Sequence, residues 1–186
     1  MEETLTKQQI IFLQQLEGVA KQFTVRAQTY DEERSFPFEN INDLKKINYT
    51  KLTLPKEYGG GGEGLLPFLL GQEVIAQYCG STALAIGWHN MIALELLANQ
   101  AWSIENKRKI FREIADGALV NRAATEPATG SPTRGGRPQT NAQRKGDKWI
   151  ISGRKTFTSL APALDIILVS AWIAEEETIG LSLIHI

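Results

Sequence analysis

At Gly117 the sequence changes its period, and that change limits the fold more than any single motif does. Before it, Leu13, Leu16, Ala20, Phe23 and Ala27 recur at steps of three and four after a Thr6–Gln9 capping-box spacing. This predicts one amphipathic helix ending near Thr29. After it come "ALVNRAAT", then "TNAQRKGDKWIISG" with two strand-like pieces around a Lys-Gly-Asp turn, then "LDIILVSAWI", rich in β-branched residues. A chain that reads as helices and then as strands is of α+β class. The expected layout is an amino-terminal α-helical bundle domain over 1–117 and a β domain over 118–180.

Within the helical part, Pro37 in "SFPFEN" interrupts the pattern, and a short helix is expected over Ile41–Ile47. "LPKEYGGGG" carries four consecutive glycines, Gly59 to Gly62, and reads as a loop. Leu66–Tyr78 and Ser81–Asn99 are two longer apolar segments separated by Gly80. The second is apolar nearly all round and is read as the buried central helix. Ser103 opens a polar helix that Gly117 terminates.

Charge and cysteine content narrow the partners. Among 186 residues, 20 Lys+Arg face 21 Asp+Glu, a net charge of -1 that draws the chain to neither nucleic acid nor an anionic membrane, and favours a small-molecule partner. The single cysteine, Cys79, excludes an internal disulfide framework, and "MEETLTKQQ" is neither a signal nor a transit sequence, so a cytoplasmic protein is expected. No run approaches the roughly 20 apolar residues of a membrane span. His185 is far in sequence from any other candidate ligand, and no metal site is expected.

Three segments, "LPKEYGGGG", "ATEPATGS" and "DKWIISGRKTFTS", in that order on a helix-then-strand layout, resemble the acyl-CoA dehydrogenase family. The likeness spans about residues 5 to 175 and corresponds to the amino-terminal helical domain and most of the middle β domain. The β part is therefore expected to be an incomplete β-barrel or sandwich. The resemblance implies an FAD-dependent oxidoreductase that abstracts a proton α to an acyl-CoA thioester while a hydride leaves the β-carbon for flavin N5. It also implies an electron-acceptor flavoprotein or oxygen as the second partner and a homo-oligomeric full-length protein. A flavin-dependent monooxygenase on the same scaffold, and a non-catalytic helical interaction domain, are the alternatives.

By the same resemblance, Ala124, Thr125, Gly130, Ser131, Phe157, Thr158 and Ser159 are cofactor-binding residues. Thr125 offers its hydroxyl and N–H to the pyrimidine side of the flavin, where charge collects on reduction. Gly130 and Ser131 reach phosphate or thioester. Phe157 stands where relatives carry a tryptophan packed on the flavin, and Ser159 where they carry a threonine donating to N5. An inward-facing strand aromatic is the competing reading of Phe157. Trp88, Met91 and Ile92, with Ser131, are the substrate-binding candidates, although helical spacing equally suits core packing for Trp88 and Met91. His89 is read as a hydrogen-bonded core residue.

Two departures stand out: Ala128 where the family has Gly, and Pro132, which has no N–H to give, where it has Asp. No catalytic residue is identified, because the proton-abstracting glutamate of the family belongs to a carboxy-terminal helical domain. The chain is thus expected to be a fragment, inactive alone, with 181–186, "LSLIHI", a non-native tail.

Overall fold

The computed structural model describes residues 5–130 and 136–186. The chain divides into two compact units, Met1–Leu119 and Val120–Ile186.

Among its described residues the first unit holds five α-helices: α1 (Lys7–Glu33), α2 (Phe38–Lys46), α3 (Leu65–Tyr78), α4 (Gly80–Ala98) and α5 (Ile104–Ala115). The Thr6 side chain accepts from the Gln9 N–H at 3.2 Å and the Gln9 side chain accepts from the Thr6 N–H at 2.8 Å, so the expected capping box starts α1. Thr6→Ala is expected to lower stability by about 1 kcal/mol, read as a shifted urea midpoint at unchanged slope. The helix continues past Thr29 to Glu33, where left-handed Arg34 donates its N–H to the Asp31 and Tyr30 carbonyls. Its last turn is polar on every side, so the apolar period stops before the helix does.

Leu16, Ala20 and Phe23 of α1, Ile41 and Leu44 of α2, and Phe68 and Ile75 of α3 are buried, with Tyr49 and Leu54 from the connecting segment. Full burial of each large apolar side chain contributes about 1.5–3 kcal/mol. Gly71 of α3 leaves room for the Tyr49 ring, since a Cβ there would meet Tyr49 Cε2 at 2.9 Å. Pro67 falls in the first turn of α3, where a missing N–H breaks no helical bond. The break between α3 and α4 is the single extended residue Cys79, with Gly80 already helical. The Cys79 N–H closes α3 on Ile75 O and its carbonyl opens α4 by accepting from Ala83.

The expectation of a fully buried α4 is corrected. One face carries Thr82, Ala85, Ile86, His89, Ile92 and Leu96 into the core, but Leu84, Trp88 and Met91, at steps of four and three, stand exposed on another. A segment apolar all round has no polar stripe by which its sequence tells an inner face from an outer one.

The second unit is one open mixed sheet of β1 (Val120–Ala123), β2 (Asn141–Lys145), β3 (Lys148–Ser152), β4 (Ile166–Ile173) and β5 (Thr178–His185). β4 is its axis: β5 runs antiparallel along its whole length, from Ile166↔His185 to Ile173↔Thr178. β1 pairs in parallel with the first half of β4 and β2 with its last two residues. β2 and β3 form the expected hairpin around Gly146, whose φ of 65° suits the turn. The sheet does not close into a barrel. Residues 181–185, expected to belong to a foreign tail, lie in β5.

Candidate functional site

Where β1 ends, the chain enters a tight turn. Glu126 and Gly130 exchange two backbone hydrogen bonds of 3.0 Å, leaving Pro127 and Ala128 at the exposed tip. Gly130 sits at φ 68°, a region where a Cβ is disfavoured. Ala128 is not among the positive-φ residues, so alanine in place of the family's glycine carries no backbone strain. Ser131 and Pro132 lie outside the described residues.

Glu126 turns inward and is 3% exposed. Its Oε1 accepts from the Thr140 N–H at 2.9 Å and from Lys155 Nζ at 2.8 Å. Its Oε2 accepts from the Gln139 N–H at 2.6 Å and from Thr129 Oγ1 at 3.0 Å. Burial alone would raise this carboxyl, but the hydrogen bonds from Lys155, Thr140 and Gln139 outweigh it and hold Glu126 well below the usual carboxylate range. Lys155 Nζ also donates to Ala124 O at 3.3 Å and to Ser170 Oγ at 3.2 Å, which uses its three donors. Sequence reasoning assigned neither residue a role. They are 29 positions apart, and an acid in a small-residue turn gives no signal of the lysine it meets.

The segment between β3 and β4 lies against this turn. The Thr156 N–H donates to the Thr125 carbonyl at 2.9 Å, and Asn121 Nδ2 donates to the Ser159 carbonyl at 2.8 Å. Phe157 and Leu160 both hold left-handed backbone, φ 55° and 70°. Such a conformation costs a bulky residue about 1–2 kcal/mol. Leu160 recovers it by burial, at 2% exposure, whereas the Phe157 ring is 91% exposed. This overturns the inward strand-aromatic reading of Phe157: the residue is in a loop and points to solvent. Thr156 Oγ1 is buried with no hydrogen-bond partner among the described residues.

Ala124 and Thr125 on one side, and Phe157, Thr158 and Ser159 on the other, are therefore brought into adjacent loops. Thr125, Thr158 and Ser159 are half-buried. Among the described residues no hydrogen bond is made by the Thr125 or Ser159 hydroxyl. In the helical unit, Trp88 is 48% and Met91 37% exposed, which corrects the core-packing reading of both, while Ile92 at 3% belongs to the core. His89 is buried and donates Nε2–H to the Thr50 carbonyl at 2.7 Å, as expected of a structural histidine. Among the described residues, no group of three or more His, Cys, Asp or Glu gathers as a metal site, and no helix is long and apolar enough to cross a membrane.

Comparison with known proteins identifies both units. The acyl-CoA dehydrogenase N-terminal domain matches residues 6–118, and the acyl-CoA dehydrogenase middle domain matches residues 121–186. The chain belongs to the acyl-CoA dehydrogenase family. YdbM of Bacillus subtilis (strain 168), itself named for the acyl-CoA dehydrogenases, is 45% identical over 178 residues, covering 96% of this chain and 47% of its own length. The cyclohex-1-ene-1-carbonyl-CoA dehydrogenase of Geobacter metallireducens is 34% identical over 177 residues, covering 93% and 45%. The solved structure of butyryl-CoA dehydrogenase from Megasphaera elsdenii superposes with a TM-score of 0.81 at 24% identity, over 100% of this chain and 50% of that one. The chain thus spans about half the length of the curated acyl-CoA dehydrogenase relatives it matches.

Proposed function

We propose that this chain is the amino-terminal and middle part of an FAD-dependent acyl-CoA dehydrogenase, acting on the α and β carbons of an acyl-CoA thioester. The observation that carries the reading is Phe157: a fully presented aromatic ring, in strained backbone, in a loop pinned to the Thr-Glu-Pro turn. An exposed flat ring beside free hydroxyls fits a planar, partly polar partner. When bound, FAD supplies the two-electron oxidant. Phe157 would pack on its ring system, Ala124 and Thr125 would meet its pyrimidine edge, and Ser159, next to Thr158, would donate a hydrogen bond towards N5. Gly130 and Ser131 would approach the phosphate or thioester.

Trp88 and Met91 offer an exposed apolar face for the acyl chain, with Ile92 supporting them from the core. Both curated relatives described above are named as dehydrogenases, which supports dehydrogenation over oxygen insertion. An electron-acceptor flavoprotein is the fitting second partner, the cytoplasm the fitting compartment, and a homo-oligomer the fitting assembly. The remaining length of the relatives would supply the proton-abstracting carboxylate.

The test is Ser159→Ala in the full-length protein. It is expected to keep its fold and FAD, and to slow flavin reduction up to about tenfold, the loss of one hydrogen bond worth about 0.5–1.5 kcal/mol. Stopped-flow flavin absorbance with a panel of acyl-CoA thioesters reads the effect. Unchanged reduction rates together with an unchanged reduction potential would remove the role given to Ser159.

A further inference from the structure

We infer that the buried Glu126–Lys155 ion pair is a positioning device that sets the Thr-Glu-Pro turn against the Phe157–Ser159 loop, so that both meet the flavin at a fixed separation. This rests on the flavin reading above and adds to it two residues that touch no reacting atom. The side chains are 1% and 11% exposed and 2.8 Å apart. Between them they bind five places in the chain. The carboxylate takes the Gln139 and Thr140 N–H groups just before β2 and the Thr129 hydroxyl on the far side of the turn. The ammonium takes Ala124 O before the turn and Ser170 Oγ in the middle of β4. Lys155 is followed directly by Thr156, whose N–H holds Thr125, and by the left-handed Phe157.

Stability alone does not account for such a pair, since well-packed apolar residues in its place are often neutral or better. What apolar packing lacks is direction. Hydrogen bonds set distance and angle, and a binding loop must be held within about 0.5 Å of its productive geometry. Each of the contacts made by Glu126 and Lys155 constrains the same two loops that carry the flavin-facing residues.

The test uses full-length protein stripped of flavin and reloaded. Glu126→Gln/Lys155→Met removes both charges together, so that no lone buried ion remains, and Ser170→Ala removes the third partner of Lys155 together with the 3.5 Å bond from Ser170 Oγ to Ala123 O. The readouts are the FAD dissociation constant by fluorescence titration, the reduction potential, and the melting temperature of the apoprotein. The double variant is expected to fold with a lower melting temperature than wild type, since an amide at position 126 keeps one acceptor oxygen for the N–H donors that the carboxylate met with two, while its FAD dissociation constant rises at least about tenfold. Ser170→Ala is expected to raise it about threefold and to shift the potential. Folded variants with wild-type affinity and potential would overturn the inference and leave the flavin reading intact. If the double variant fails to fold, the Ser170→Ala result decides. A wild-type protein that takes up no flavin would overturn both.

Discussion

Replacing Gly60 with alanine should destabilise the helical unit by about 3 kcal/mol, the upper end of what overpacking costs. A Cβ at Gly60 would press on the Leu54 carbonyl oxygen and stand 2.5 Å from Leu54 Cβ. Neither can retreat. Leu54 is wholly buried, and its carbonyl accepts from the Gly62 N–H at 2.8 Å. On either side, Gly61 N–H donates to Lys51 O at 2.9 Å and Glu63 N–H to Leu52 O at 3.0 Å, so the glycine run is laced onto residues 51–54. Gly59→Ala is the matched control: a Cβ there meets nothing, and only the φ of 80° resists it, at about 1 kcal/mol. Urea denaturation of the two variants should rank them Gly60→Ala well below Gly59→Ala. Equal losses would mean that close approach is not what the run is for.

Lys155→Met should cost about 3–5 kcal/mol at neutral pH, because it leaves the Glu126 carboxylate buried without its cation. The pH dependence should also weaken. In the wild-type chain the folded carboxyl titrates below its ordinary value near 4.5. The stability it contributes is therefore fully present above that value and is lost as pH falls towards the folded-state value. Without Lys155 the carboxylate loses its cation but keeps the Gln139 and Thr140 N–H groups and the Thr129 hydroxyl, so the folded carboxyl titrates higher than in wild type. The folded state then gains relative to wild type as the acid protonates on lowering the pH. Thermal melts of the full-length protein from pH 4 to 8 should show the gap between wild type and Lys155→Met narrowing towards acid. A gap constant across that range would show that Glu126 does not titrate with the fold.

Much of the fold was legible because its signals are local. The α1 start is a hydroxyl and an amide three residues apart, and the β2–β3 hairpin is a glycine turn between two short strand-forming pieces. Caps, turns and side-chain period act within a few residues, where the order of residues is itself the geometry. The order of pairing was not of that kind. That β4 would take β1 and β2 in parallel and β5 antiparallel is decided by backbone groups far apart in the chain, and strand-forming residues alone do not choose among such partners.

For the candidate site, the motifs marked two loops that the structure brings together, but not what holds them. Thr125 and Ser159 could be named from the sequence because each sits in a recognisable segment. Glu126 was visible only as the middle letter of Thr-Glu-Pro, and its four donors come from Thr129, Gln139, Thr140 and Lys155, which no spacing rule links. Phe157 and Trp88 make the same point from the other direction. Both are apolar residues that a pattern sends inward, and both are exposed, Phe157 because a left-handed backbone turns it out and Trp88 because the opposite side of α4 fills the core. The sequence by itself determined which segments coil, which extend and where the chain turns. Tertiary structure decided which charged groups meet and which apolar groups stay uncovered, because those depend on distances through space that separation along the chain does not set.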